Sequence, residues 1–135
     1  MKDLAQITVN KVMTRSLKIV DIDTSFEEVV KTFNETKVHA LIVVGPGGEF
    51  MGILSHSDII KGLQEYGPKI FVLTAEDLMH PKPFTIDPNA NLKEAAAIMV
   101  KNRIHRLLVI SSHAGKYIPI GVLSATDIIK AVANT

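Results

Sequence analysis

An α+β fold built from two βαββα repeats is what the sequence predicts, and three observations predict it. The chain matches itself in order at an offset of 66 residues, with Thr8 on Thr74, Met13 on Met79, Asp21 on Asp87, Glu28 on Glu94 and Leu41 on Leu107. Beyond a loop three residues longer in the second copy the offset becomes 69, and Gly52, Leu54, Ser55, Asp58 and Ile59 fall on Gly121, Leu123, Ser124, Asp127 and Ile128. Finally, 47% hydrophobic and 21% charged residues in a chain of 135 are the usage of a packed globular protein.

Each copy is read the same way. A short helical turn that Thr8 or Thr74 would cap leads to Val12-Met13 or Leu78-Met79. Strand-like Lys18-Ile19-Val20 and Phe84-Thr85-Ile86 come next. Ser25-x-x-Glu28 is a capping box and Asn91-x-x-Glu94 a near variant, each opening a helix. Phe26, Val29, Val30 and Phe33, and then Leu92, Ala95, Ala96 and Met99, fall at i, i+3, i+4 and i+7 and give each helix one apolar face. The β-branched runs 38–44 and 104–110 read as strands that turn through Gly45-Pro46-Gly47-Gly48 or Ser111-Ser112-His113-Ala114-Gly115. The return strands, 50–54 and 118–123, end in helices opening near Ser57-Asp58 and Thr126-Asp127. Repeat 1 is thus placed at 8–66, a linker at 67–73 and repeat 2 at 74–133. A unit of about 60 residues is marginal alone, so the copies are expected to share a core as one structural domain.

Composition removes several functions. Fifteen Lys+Arg against 14 Asp+Glu give a net charge of +1, which supplies no general field toward nucleic acid or a membrane. With no cysteine there is no disulfide, thiolate zinc site, iron–sulfur cluster or thiol nucleophile. The N-terminus lacks the basic start and apolar run of a signal peptide, and no apolar run approaches a membrane span, so a cytoplasmic protein is expected. His56, His80 and His113 are scattered without an i, i+4 pair, and no metal site is expected. The Gly-rich hairpin lacks the Gly-Lys-[Ser/Thr] ending of a P-loop.

The strings Gly52-Ile53-Leu54-Ser55-His56-Ser57-Asp58-Ile59-Ile60 and Gly121-Val122-Leu123-Ser124-Ala125-Thr126-Asp127-Ile128-Ile129 match a G-h-h-[ST]-x-x-D-h-h signature, where h is apolar. Found twice in equivalent contexts, they make the chain resemble a tandem pair of CBS domains, regulatory modules named after cystathionine β-synthase. The resemblance implies repeats in pseudo-two-fold contact. It also implies two clefts between them for AMP, ADP, ATP or S-adenosylmethionine. It carries Asp58 and Asp127 over as contacts to the ribose diol, and Ile19, Val38, Thr85 and Ile104 as neighbours of the adenine. His39, and His105 with Arg106, are carried over as phosphate contacts. Independently, Ser55, Ser57, Ser124 and Thr126 stand where a helix start offers unpaired N–H groups to a phosphate. Ala40 occupies the position of Arg106, whose planar fork suits phosphate oxygens, so the second cleft is expected to bind more tightly or to prefer more phosphates. Many members carry proline where this chain has Ile42 and Leu108.

Plainer roles compete with these. The two Asp and the Ser and Thr residues near them are also what a helix N-terminus selects without any ligand. His39 and His105 are alternatively satisfied sheet histidines, and Lys101 and Arg103 belong to a solvated charged run. No activated nucleophile, metal set or carboxylate pair converges within one repeat, so no enzyme and no catalytic cofactor are expected. The expected function is a regulatory module with an adenine nucleotide as ligand, acting as a homodimer on a protein partner the sequence leaves unidentified. The alternative is a ligand-free dimerisation scaffold, with nucleic-acid binding as a variant of it. At 5% aromatic residues the chain offers no stacking platform for that variant.

Overall fold

In the computed structural model, residues 3–38, 40–81 and 84–134 are described, and the chain divides into two compact units. One is the continuous segment 18–83, and the other joins the chain up to Leu17 to the chain from Phe84 onward. In chain order the elements are α1 (Val9–Val12), β1 (Ile19–Asp21), α2 (Phe26–Thr36), β2 (Ala40–Val44), β3 (Phe50–Ser55) and α3 (His56–Tyr66), followed by α4 (Ala75–Leu78), β4 (Thr85–Ile86), α5 (Leu92–Asn102), β5 (Arg106–His113), β6 (Lys116–Ser124) and α6 (Ala125–Ala133). The repeats in sequence and the compact units in space are therefore out of step. The arm carrying α1 completes the unit of the second repeat, while α4 completes that of the first.

Each unit has a three-stranded sheet in which the short first strand pairs in parallel with the second, and the second antiparallel with the third. The registers are equivalent. Ile19, Ile42 and Ile53 stand side by side in one sheet, as Thr85, Leu108 and Val122 do in the other. Both sheets break register at matching places, between Val43 and Val44 and between Val109 and Ile110. Pro119 lies opposite Ile110 at this irregularity, the kind of place where a strand tolerates a residue without an N–H.

Strand alternation sends Leu41, Val43 and Leu54 to the helix side, where they pack with Val29 and Phe33 of α2 and with Ile70. Leu107, Val109 and Leu123 pack likewise with Leu92, Ala95 and Met99 of α5, and with Val9 and Met13 of the N-terminal arm. Val9 is fully buried, which fixes the arm to this unit. The opposite sheet face carries Ile19, Ala40, Ile42, Ile53 and Ser55 in one unit and Thr85, Arg106, Leu108, Val122 and Ser124 in the other.

Several local expectations shift. Ser25 and Asn91 cap α2 and α5 through the N–H groups of Glu28 and Glu94, at 3.2 and 2.9 Å. Thr8 does not cap α1, because its hydroxyl donates to Asn10 Oδ1 at 2.6 Å. The last helix of each repeat starts at His56 or Ala125, earlier than expected, because Ser55 and Ser124 are the capping residues. The linker is itself ordered as a 3-10 helix, Gly67–Val72, with Ile70 buried. Val30 is 39% exposed and lies at the rim of the helix face rather than in the core.

Candidate functional site

The motif glycines position the site by what they leave out. A Cβ at Gly52 would lie 2.7 Å from Met79 Sδ and 2.8 Å from the His80 carbonyl, and one at Gly121 would lie 2.8 Å from Met13 Sδ and 2.9 Å from the Thr14 carbonyl. Only glycine lets the arm settle against the third strand of each sheet. There it is held by paired backbone bonds, His80 with Ile53 at 2.8 and 3.0 Å, and Thr14 with Val122 at 2.9 Å in both directions. The residue after each methionine is thereby brought beside the start of α3 or α6.

At that helix start the motif Ser and Asp form a reciprocal cap. Asp58 Oδ2 accepts from the Ser55 N–H and from the Ser55 hydroxyl, both at 2.8 Å, and the Asp58 N–H donates to Ser55 Oγ at 3.3 Å. Asp127 Oδ2 accepts from the Ser124 N–H at 2.9 Å, and the Asp127 N–H donates to Ser124 Oγ at 3.1 Å. Capping thus occupies one carboxylate oxygen of each Asp and leaves Oδ1 outside the box. That atom is where the arm points, with His80 Nδ1 3.7 Å from Asp58 Oδ1 and the Thr14 hydroxyl 3.5 Å from Asp127 Oδ1.

The other expected residues divide between the two sides of each sheet. Ile19, Ala40 and Ser55 share a sheet face, as do Thr85, Arg106 and Ser124, with Arg106 directly opposite Ser124. Arg106 is exposed, and Ser57 and Thr126 are exposed in the first turns of α3 and α6. Val38 and Ile104 are not brought to that face. Val38 lines a helix-side cavity of about 400 Å³ with Phe33, Lys37 and His56, and Ile104 and His105 line one of about 470 Å³ with Met99 and Ile128. His105 lies in the bend ahead of β5 and lines that cavity, whereas Arg106 begins β5 on the other face, opposite Ser124. His39 lies outside the described residues.

Thr14 and His80 were not among the residues expected in the site. The signal was present, since the offset that superposes Met13 on Met79 also superposes Thr14 on His80. What sequence could not supply was that each arm pairs with the sheet of the other repeat, which brings Thr14 to an Asp 113 residues away.

Two structurally equivalent units, each with a capped Asp in the first turn of its last helix, define a tandem-repeat module. The chain belongs to the CBS domain family, whose model matches residues 9–65 and 75–134. It is 24% identical to the chloroplastic CBS domain-containing protein CBSX2 of Arabidopsis thaliana, with 92% of this chain and 63% of that protein covered. An uncharacterized protein of Methanocaldococcus jannaschii is 23% identical, with 84% of each covered. Among solved structures, CBSX2 in complex with AMP superposes with a TM-score of 0.77 at 28% identity, covering 95% of this chain and 97% of that one. A conserved protein from Pyrococcus horikoshii gives the same TM-score at 26% identity over 97% and 95%. No helix among the described residues is long and apolar enough to cross a membrane.

Proposed function

We propose that the chain is a regulatory module that binds adenine nucleotides, AMP foremost, and passes the bound state to a protein partner through a shift in conformation. The observation that carries this reading is the repeated Asp whose Oδ2 is held by its own cap while Oδ1 stays outside it. A carboxylate oxygen so placed can accept from ribose hydroxyls without dismantling the helix start. The AMP complex of CBSX2, similar to this chain over nearly its whole length, supports the choice of ligand. On this reading Ser57 and Thr126 lie in first turns where N–H groups and the helix dipole favour a phosphate, and Arg106 adds a planar fork in the second unit. The module acts by binding rather than by catalysis. A homodimer belongs to the same reading, supported by Ile60 and Ile129, which sit at equivalent helix positions and are 64% and 68% exposed.

Isothermal titration calorimetry of nucleotide-stripped protein with AMP, ADP, ATP and S-adenosylmethionine tests the proposal, with Asp127→Ala as control. Saturable AMP binding that falls at least tenfold at one site in the control is the expected result. No binding of any of the four would overturn it in favour of an interaction scaffold.

A further inference from the structure

We propose that His80 is a proton-dependent lock on the Asp58 carboxylate, a positioning residue that makes nucleoside binding by the first unit weaken in acid, while Thr14 leaves the second unit without that dependence. The inference rests on the reading of Asp58 as the ribose acceptor and adds to it a regulation particular to one unit. It starts from a difference between equivalent positions. The oxygen left outside the cap, Oδ1, is faced by an imidazole in one unit and by a hydroxyl in the other.

The placement of His80 is fixed by backbone rather than by the ion pair. Its N–H and carbonyl are both bonded to Ile53, and the carbonyl also lies against Gly52, where no side chain intervenes. The ring is 58% exposed while Asp58 is 11% exposed, so protons reach the imidazole freely and the carboxylate is the more enclosed partner. Of the elements around it, β3 (Phe50–Ser55) carries no titratable side chain. Next, α4 carries Glu76 and Asp77, and Asp77 accepts from the N–H and hydroxyl of Thr74 at 2.9 and 3.1 Å. Finally, α3 carries Asp58 together with His56, Lys61, Glu65 and Tyr66. Asp58 is the carboxylate within ion-pair distance of the ring among the described residues.

Imidazole is the side chain that ordinarily changes charge between pH 5 and 8. When charged, its Nδ1–H is a donor held near Oδ1, and a ribose hydroxyl must displace an ion-pair contact to reach that oxygen. When neutral, the ring gives up the carboxylate at little cost. Thr14 has no charge to gain over this range, so the Asp127 oxygen meets the ribose on the same terms throughout.

The test reads both units in one intact chain by following backbone amide shifts during titration with adenosine at pH 5.5 and 8.0. Adenosine is the probe because it has no phosphate, whose own charge would change over the same range. For the first unit, read at Gly52 and Ile53, the dissociation constant is expected to be about two- to fivefold larger at pH 5.5, the scale of a partly exposed ion pair. For the second, read at Gly121 and Val122, the change is expected to stay below about 1.5-fold on the same scale. His80→Thr, which gives the first unit the residue the second already has, should flatten the first profile. A flat profile in the wild-type first unit, or a pH dependence that survives His80→Thr, overturns the lock and leaves the ribose reading standing. Absence of adenosine shifts in both units at both pH values overturns the ribose reading and the lock together.

Discussion

Replacing Gly121 by alanine probes the contact that brings the N-terminal arm to the second site. The added methyl would lie 2.8 Å from Met13 Sδ and 2.9 Å from the Thr14 carbonyl oxygen. The sulfur ends a flexible side chain and can retreat. The carbonyl is backbone, and its residue is fastened to Val122 by two bonds of 2.9 Å, so relief requires the arm to lift off β6. Overpacking of this kind costs roughly 1–3 kcal/mol. In a domain of this size, about 2 kcal/mol lowers the melting temperature by roughly 6–10 °C, readable by differential scanning calorimetry. Trimming the side chain in Gly121→Ala/Met13→Ala should give no rescue, because the carbonyl remains and the burial of Met13, 8% exposed in the wild type, is lost. A Gly121→Ala protein that melts within a degree of wild type, or a double variant restored to wild-type stability, would refute the argument that backbone proximity is what requires glycine here.

Two further substitutions separate binding from folding. Asp58→Asn keeps an acceptor for the Ser55 N–H but loses the charge at the helix start, so stability should fall by no more than about 1 kcal/mol in a urea melt, whereas AMP affinity at the first unit should fall about tenfold as the charge-assisted bonds to the ribose are lost. Unchanged affinity would reduce Asp58 to a helix cap. Arg106→Ala removes an exposed side chain from β5, so the melting temperature should hold while AMP affinity at the second unit drops about tenfold in calorimetry. A variant that binds as well as wild type would remove Arg106 from the phosphate site.

The doubled architecture was legible because repetition exposes it. Two offsets separated by one loop insertion placed all six strands and the four long helices, and the structure moves only their ends. The ends moved where side chain and backbone compete. Ser57 and Thr126 are good capping types, yet Ser55 and Ser124 take the cap because their hydroxyls accept the Asp N–H three residues on. The motif marked Asp58, Asp127 and the Ser residues before them as helix-start residues, whereas the reciprocal cap and the sheet face of Ser55 and Ser124 emerge only in the fold. The helix-side position of Val38, Ile104 and His105 was not legible, since it depends on where the strand begins, and β2 and β5 begin two residues later than their apolar runs. Thr14 and His80 were missed for a different reason. Their significance comes from strand pairing across the repeat boundary, which no local pattern encodes.

That exchange of arms also gives the two units different histories within one chain. Met79 meets a glycine only 27 residues behind it, whereas Met13 must wait for one 108 residues ahead. Loop closure in an open chain grows as three-halves RT times the logarithm of length, so the fourfold longer loop costs about 1.2 kcal/mol more, close to an eightfold lower chance of encounter. During synthesis from the N-terminus the first unit can close on residues already made. Met13, though made early, stays without the glycine it packs against until the last strand arrives. The carboxylate at residue 127 is thus the last of the pair to gain its neighbour, and a chain interrupted near its end would retain one finished unit beside an apolar arm with nothing to cover.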